Sequence, residues 1–568
     1  MTSRIFIKVN FHPSVNPTSH YNKVYHKSRI KVIFVVQITN LSLERKLTIG
    51  TRGSELALWQ ANFVKDRLAE INITAELKII KTQGDRILNL SFDKLEGKGF
   101  FTKELEEELL AGTIDLAVHS HKDLPTDNPP GLIIAAVSER EDPAELLLIL
   151  KDCVEVKHKL SVKFGGMVGT SSNRRKAQLL AVRPDLEIDD LRGNVPTRIG
   201  KLRDEKYDAI MIAKAGVSRL GIDLSEFYVE ELTPTEFIPA PAQGVLAIQI
   251  REVDTELFEA LQALNHPEVA ETLAVERKVL KSFGGGCHLP LGCYCRKYKG
   301  EYQIFTSKAD EGDEFPDRLF IQTKNIKGIE ERILKYYAKD RQFPQKVFIS
   351  RDISEQSYFR RALEKHKIEV EGRSLIRTVP VITRFDSYIL KSVDWVFFTS
   401  KNAVEYFFNL KPLFPKKVKF GVMGTGSEDM LRRNGHFADY VGDSGDTAQV
   451  GRDFAKLANG HTVLFPGSES AMRSVQKEMS KDTKIIDLPV YETVLIDEVK
   501  ASSAEVLVFT SPSNVEAYFT DNLLDSHQKV IAIGKSTGNK LTELGLKYTL
   551  PFLPDEVGLA EAVFGLTV

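Results

Sequence analysis

An α/β fold built on parallel sheets is predicted, on three observations. Short apolar strands alternate with amphipathic helices from about residue 46 onward. Many of these strands run into a turn rich in Gly, Ser or Arg that opens the next helix. After residue 343 two strand–turn–helix segments recur in the same order. Strand, helix, strand in this rhythm means parallel sheets with helices on both faces.

The elements follow in order. "KLTIGT" reads as a strand, and an amphipathic helix follows from Ser54 to about Glu70, with Leu56, Trp59, Phe63, Val64 and Leu68 on its apolar face. "AELKII" is the next strand. "FTKELEEELLAG" is a helix, with Phe101, Leu105 and Leu109 one turn apart and Gly112 as its stop. "IDLAVHS" is an apolar strand that ends in the polar loop "HKDLPTDNPPG".

At 568 residues the chain is too long for one ordinary core, so two to four domains are expected. Hydrophobic content of 42% and charged content of 27% fit a globular protein, and no apolar run is long enough to span a bilayer. A net charge of −1 argues against nucleic acid as a partner of the whole chain. Four cysteines do not make a disulfide scaffold, so a reducing cytoplasm is expected. Residues 1–45 hold no acid before Glu44, scattered Lys, Arg and His, and one short run, "VIFVVQI". That composition has something of a transit peptide, but the apolar run comes too late for a signal peptide. We read 1–45 as an extension outside the fold.

In open α/β sheets ligands bind at the carboxyl ends of the strands, and there the suggestive residues collect. "GTRGSELALWQ" places Arg52 in a loop and Ser54 at a helix cap. "VHSHKDLP" places Lys122 and Asp123 after a strand. In "VGTSSNRRKAQLL", Ser171 or Ser172 caps a helix whose first turn carries Arg174 and Arg175. Two arginines at a helix N-terminus oppose its dipole, a local cost that a bound anion would offset. "LRGNVPTRIGKL" adds Arg192 and Arg198, and "AGVSRLG" adds Arg219. Any one of them alone reads as a surface charge. Together, guanidinium forks at the mouths of strands imply a ligand with many carboxylates or phosphates. No G-x-x-x-x-G-K-[ST] loop is present, which favours a polycarboxylate over a nucleotide triphosphate. The stretch "SFGGGCHLPLGCYC" gathers three of the four cysteines, and by itself leaves open a zinc site, a redox pair or one special thiol.

"TRGSELALWQ", "GKGFFTKELE", "AVHSHKDLP", "GTSSNRRKAQL", "LRGNVPTR", "PAPAQGVLAI" and "GGGCHLPLG", in that order, resemble hydroxymethylbilane synthase, also called porphobilinogen deaminase. The resemblance covers roughly residues 46–340. It implies a transferase of porphyrin and haem biosynthesis that joins four porphobilinogen units head to tail, releasing ammonia each time. It also implies a dipyrromethane cofactor attached through a thioether at Cys287. A thiolate is a strong nucleophile toward the methylene left when ammonia departs. Cys293 and Cys295, at i and i+2, are then read as packing on one face of a strand, and their spacing matches zinc poorly. Asp123 is expected to be the essential carboxylate, opposing cationic charge and shuttling protons. By residue-by-residue match, Lys98, Ser171, Arg174 and Arg175 would hold the cofactor, and Arg52, Ser54, Lys122, Arg192, Arg198 and Arg219 the substrate's acetate and propionate groups. "GSELA" and "APAQG" depart from the family's usual wording without touching a proposed charge contact.

The implied architecture is two periplasmic-binding-protein-like lobes, 46–138 with a return segment 243–262 and 142–238, plus a small α+β cofactor domain, 266–342. A two-lobed α/β unit, 345–568, follows. In that unit "DWVFFTSKNAVEYFF" parallels "EVLVFTSPSNVEAYF", and "KFGVMGTGSEDMLRRNG" parallels "KVIAIGKSTGNKLTELG". "VFFTSKNAV", "LPVYETVL", "FTSPSNV" and "AIGKSTGNKLTELG" resemble uroporphyrinogen-III synthase, a lyase that inverts the last ring of hydroxymethylbilane and closes the macrocycle. The match puts Tyr491 in the cleft, assisting loss of the hydroxyl, with Ser511 and Thr537 as donors to carboxylates. A bifunctional cytoplasmic monomer acting on small pyrroles, with no metal, no nucleic acid and no membrane, is expected. Each half is expected to fold and work alone, joined by the polar stretch "YAKDRQFPQK". Two alternatives differ in class: an anion-binding protein in the first half, and a non-catalytic partner domain in the second.

Overall fold

Five sheets form among the described residues. The computed structural model describes residues 45–566 apart from 83–101, 157–158, 287–288, 339, 383, 415–416, 443–445 and 470. In the first sheet the strands lie in the order Ala75–Ile79, Leu47–Thr51, Leu116–Ser120, Leu246–Arg251, Leu132–Val137. The second has the same plan, in the order Glu187–Asp189, Met167–Gly169, Ala209–Ala213, Glu145–Ile149, Tyr228–Leu232. In each, four strands run in one direction and a fifth, next to the edge, runs antiparallel to both of its neighbours. The sheets are therefore mixed rather than parallel throughout. The odd strands, Glu145–Ile149 and Leu246–Arg251, arrive directly from the neighbouring lobe, with no crossover helix to reverse them.

The two crossings run side by side. The Glu141 amide donates to the Gly244 carbonyl at 3.0 Å, and the Gln243 side chain donates to the Pro143 carbonyl at 2.8 Å. Gly244 has φ +88°, and a Cβ there would stand 2.2 Å from the Glu141 carbonyl oxygen, so the pair closes only around glycine.

The third sheet is an antiparallel meander of Leu291–Tyr298, Glu301–Lys308 and Asp317–Thr323, packed under the helices Pro267–Ser282 and Ile329–Tyr336. Cys293 and Cys295 are buried on its inner face, and burial raises both thiols well above their ordinary value.

The fourth sheet, in the order Glu369–Gly372, Lys346–Ile349, Val506–Phe509, Lys529–Ala532, is parallel. The fifth has six strands, in the order Ile376–Pro380, Lys484–Leu495, Thr462–Ser468, Trp395–Phe398, Lys419–Val422, Tyr440–Val441. The repeat read in the sequence is structural. Trp395–Phe398 leads through Ser400 into the helix Lys401–Asn409, and Val506–Phe509 leads through Ser511 into Pro512–Asp521. The two serines have the same extended backbone, φ −155° and −160°, and each hydroxyl accepts from the amide three residues on. In both copies the next strand pairs in parallel with the first.

Leu43–Val568 form one compact unit. One core runs without a break from the meander (Cys293, Ile304, Ile321) and the helix on it (Ile333) into the fourth sheet (Val347, Val508, Ile531) and the helix Glu556–Gly565 (Leu559, Val563, Phe564). The stretch between them is no tether. The Arg341 guanidinium lies 3.8 Å from the Tyr336 ring centre and 4.7 Å from that of Phe343, and it donates to the Phe564 carbonyl. In the helix Glu55–Glu70 the buried side is Gln60, Ala61, Val64 and Leu68. Trp59 and Phe63 instead stack on each other at 5.4 Å on the outer side.

Candidate active sites

Loops from the first two sheets converge on a cluster of charge. The 3₁₀ turn His121–Asp123 follows Leu116–Ser120, and Asp123 is exposed at its end. Across from it, Ser172, not Ser171, caps the helix Asn173–Val182 by accepting from the Arg175 amide. The Ser171 hydroxyl donates to the Leu191 carbonyl at 3.1 Å. Arg174 and Arg175 are buried, and each donates at 2.7 Å to one oxygen of the fully buried Glu145 carboxylate. They also donate to the carbonyls of Ile238 and Met211. Burial pushes the Glu145 carboxyl up, but the Arg175 and Arg174 guanidiniums more than offset it and hold it at about 2.

Glu145 does not balance the cluster. Lys122 and Arg198 lie within electrostatic reach of it, of Asp123 and of Arg175, and Lys122 also of Arg174. Burial lowers Lys122, with Asp123 opposing. Burial and then Arg175 push Arg198 down to about 10, while its Nε donates to the Gly193 carbonyl. Among the described residues, four cations thus face two carboxylates, and the Arg175 Nε is buried with no hydrogen-bond partner. Such a group is costly unless something supplies the missing acceptor. A ligand rich in carboxylates fits.

The other proposed residues have partners of their own. Arg52 follows the strand Leu47–Thr51 and bears on the buried His119, which burial lowers to about 4. Ser54 accepts from the Ala57 amide as the cap of Glu55–Glu70. Arg219 stacks over Trp59 at 5.8 Å and donates to the Gly244 carbonyl, tying the second lobe to the first and to the crossing. Arg192 pairs with Asp190 at 3.5 Å. Lys98 and Cys287 lie outside the described residues. The glycine loop that leads to Cys287 is described. Gly285 has φ +65°, and a Cβ there would sit 2.8 Å from the Thr126 hydroxyl. Thr126 is three residues beyond Asp123, so the glycine loop lies against the loop that carries the aspartate. Arg277 fastens the same loop by donating to the Leu124 and Pro125 carbonyls.

Glu145 was missed from the sequence, although a signal existed. In "AELLLIL" one carboxylate sits in an otherwise apolar strand, and such a group must be paired. Glu276 is a second case. It is fully buried and accepts from Arg140 at 2.6 Å and from the amides of Ala242 and Cys295.

Residues 47–259 match the family model for the porphobilinogen deaminase, dipyromethane cofactor binding domain. The porphobilinogen deaminase of Lawsonia intracellularis is 45% identical over 259 residues, spanning 45% of this chain and 82% of that protein. The chain belongs to the porphobilinogen deaminase family. The Fusobacterium nucleatum enzyme is 43% identical over 292 residues, which is 51% of this chain and 95% of its own. Residues 357–558 match the family model for uroporphyrinogen-III synthase HemD. A mutant uroporphyrinogen III synthase from the extremely thermophilic bacterium Thermus thermophilus aligns with 17% identity and a TM-score of 0.28, over 39% of this chain and 98% of its own. The two family matches lie one after the other. One chain therefore joins a porphobilinogen deaminase, a transferase, to a uroporphyrinogen-III synthase domain, a lyase, in tetrapyrrole synthesis.

In the synthase part, Tyr491 is buried on the strand Lys484–Leu495, and its hydroxyl is 3.1 Å from the Ser400 hydroxyl at the start of Lys401–Asn409. Its ring stacks on Tyr406 at 5.3 Å. Burial raises its phenol, with Ser400 opposing. Ser511 accepts from the Asn514 amide and side chain, and Thr537 is buried in the first turn of Lys535–Glu543. An ion pair, Lys535 with Asp446 at 2.7 Å, links the two lobes. No helix among the described residues is long and apolar enough to cross a membrane.

Proposed function

We propose that residues 46–340 condense four porphobilinogen units to hydroxymethylbilane with release of ammonia, and that residues 345–568 close the product to uroporphyrinogen III. The observation that carries this reading is the excess of cations over carboxylates among the described residues around Asp123, with Arg174 and Arg175 buried and Lys122 and Arg198 half-buried, and with the glycine loop before Cys287 packed against the same aspartate loop. In this reading the lobes are 46–138 with 243–262, and 142–238, and the cofactor domain is 266–342. The chain works as a monomer in the cytoplasm.

Cys287 holds the dipyrromethane through a thioether. When bound, that group supplies a nucleophilic pyrrole carbon as primer. Arg174, Arg175, Lys98 and Ser171 hold its carboxylates, and the Arg175 Nε gains its missing acceptor. Lys122, Arg52, Ser54, Arg192, Arg198 and Arg219 bind the acetate and propionate groups of incoming porphobilinogen. Asp123 lies where pyrrole N–H groups can donate to it. Its charge opposes the cation that forms as ammonia leaves the substrate's aminomethyl carbon, and it carries a proton away. In the second unit Tyr491 assists loss of the hydroxyl, while Ser511 and Thr537 donate to carboxylates.

Product analysis with porphobilinogen tests both halves. The intact chain is expected to yield mainly uroporphyrinogen III, detected as uroporphyrin III after oxidation and chromatography. Isomer I alone would mean that the second unit is a non-catalytic partner. The intact mass is expected to exceed that of the chain by one dipyrromethane, and Cys287→Ser to lose this excess together with the colour given by an aldehyde reagent for pyrroles. A retained excess removes Cys287 from its role.

A further inference from the structure

The synthase part reaches back to the crossings that join the two deaminase lobes. Arg318, on the meander strand Asp317–Thr323, is buried and sits where three regions meet. Its guanidinium donates to the Thr235 carbonyl at 2.8 Å and to the Glu236 carbonyl at 2.6 Å, both on the second crossing between the lobes. Its Nε donates at 2.8 Å to Glu561, on the last helix of the chain. The two side chains are 6% and 9% exposed, so the pair is shut off from solvent. Tyr336 fixes the strand from the other side by donating to the Arg318 carbonyl at 2.6 Å.

The same crossing is gripped once more, by Glu276, which takes Arg140 and the Ala242 amide. That grip lies wholly within the deaminase part. The Arg318 grip does not, because its ion-pair partner Glu561, like the nearby Asp555, belongs to the synthase part. Further contacts run in parallel. Arg361 donates to the carbonyls of Leu180 and Ala181 at the end of the helix that carries Arg174 and Arg175. Arg432 reaches Glu230 at 3.4 Å.

We propose that Glu561 is a positioning residue for the first reaction. By fixing the Arg318 fork on the Thr235 and Glu236 carbonyls, it sets the angle between the two deaminase lobes through which the cleft must pass as the pyrrole chain lengthens. A guanidinium with its carboxylate in place keeps one orientation. Without it, the buried fork must find other acceptors, and the crossing it holds shifts. The proposal rests on the reading that residues 46–340 elongate a bound pyrrole chain.

The test uses the full chain with Glu561→Gln, which keeps the volume and a hydrogen-bond acceptor but removes the charge. With limiting porphobilinogen, the covalent intermediates bearing one, two and three added units are resolved by intact mass. Glu561→Gln is expected to pile up an earlier member of that ladder, and to lower kcat for porphobilinogen consumption about threefold to tenfold with KM little changed. Glu561→Asp, which restores the charge, is expected to recover part of the loss. A normal ladder and normal kcat in Glu561→Gln would overturn the proposal. So would a fall in activity that merely follows the fraction of unfolded protein, measured by circular dichroism on the same samples. If the wild-type chain itself shows no ladder, the elongation reading has failed rather than the role of Glu561.

Discussion

Asp123 and Glu145 are two carboxylates in one cluster of cations, and their settings give them opposite work. Asp123 is exposed at the end of a loop, whereas Glu145 is sealed under two guanidiniums. Asp123→Asn keeps volume and removes charge, so the fold should survive while ammonia release from porphobilinogen drops by about two to three orders of magnitude. Near-normal release would reduce Asp123 to a turn residue. Glu145→Gln should behave differently, leaving two buried guanidiniums without their counter-charge at about 3–5 kcal/mol in stability. The pH dependence has a definite sign. The Glu145 carboxyl stands at about 2 in the fold against an ordinary 4.5, so its contribution is present above pH 4.5 and drains away as pH falls toward 2. Denaturant titrations of the wild type and Glu145→Gln should therefore converge across that window, by up to about 3 kcal/mol. A constant gap would show that the pair does not titrate as described. The arginines were legible in the sequence because several forks recur at strand ends. Their partner was not, because a lone acid in an apolar run reveals that it is paired but not with what.

Among the elements, most strands and their turns could be read from alternation and caps, and the duplicated serine caps confirmed the repeat. Strand direction could not. The period of two that marks a strand is the same in both senses, so the reversed strands Glu145–Ile149 and Leu246–Arg251 give no local sign. The face of Glu55–Glu70 was misjudged for a related reason. Trp59 is hydrophobic by composition, yet it serves here as a platform under Arg219 rather than as core. At the start of Lys401–Asn409, Ser400 both caps the helix and touches the Tyr491 hydroxyl. Tyr491→Phe removes the second contact and leaves the cap. The expected result is a smaller share of isomer III among the oxidised porphyrins with porphobilinogen consumption unchanged. An unaltered isomer ratio would confine Tyr491 to packing against Tyr406.

For the whole molecule, the sequence suggested two halves that fold alone on a polar string, whereas in the structure they share one core. The stretch after the meander is polar in composition, but its arginine lies over aromatic rings and binds the last helix. Composition registers the charge and not the stacking. A chain ending at Gln342 would lose Leu559, Val563 and Phe564 from the core they share with Ile321, Ile333 and Tyr336. It should unfold at least about 5 °C below the full chain, or associate through the bared face. Thermal denaturation with light scattering distinguishes these outcomes. A truncated chain that stays monomeric and melts with the full one would restore the picture of independent halves.

The crossings between sheets also impose an order on birth at the ribosome. The first sheet cannot close until Leu246–Arg251 has emerged, although its other strands end at Val137. The second sheet, encoded between them, is complete by Leu232 and can form while its predecessor still lacks a strand. The pattern returns later. Lys346–Ile349 waits for Val506–Phe509, while the six-stranded sheet encoded within that interval is finished at Leu495. Nascent chains of this protein should thus acquire protease resistance from the inside outward, twice in succession. The helix Glu556–Gly565, translated after all of these strands, then closes the core that the meander began.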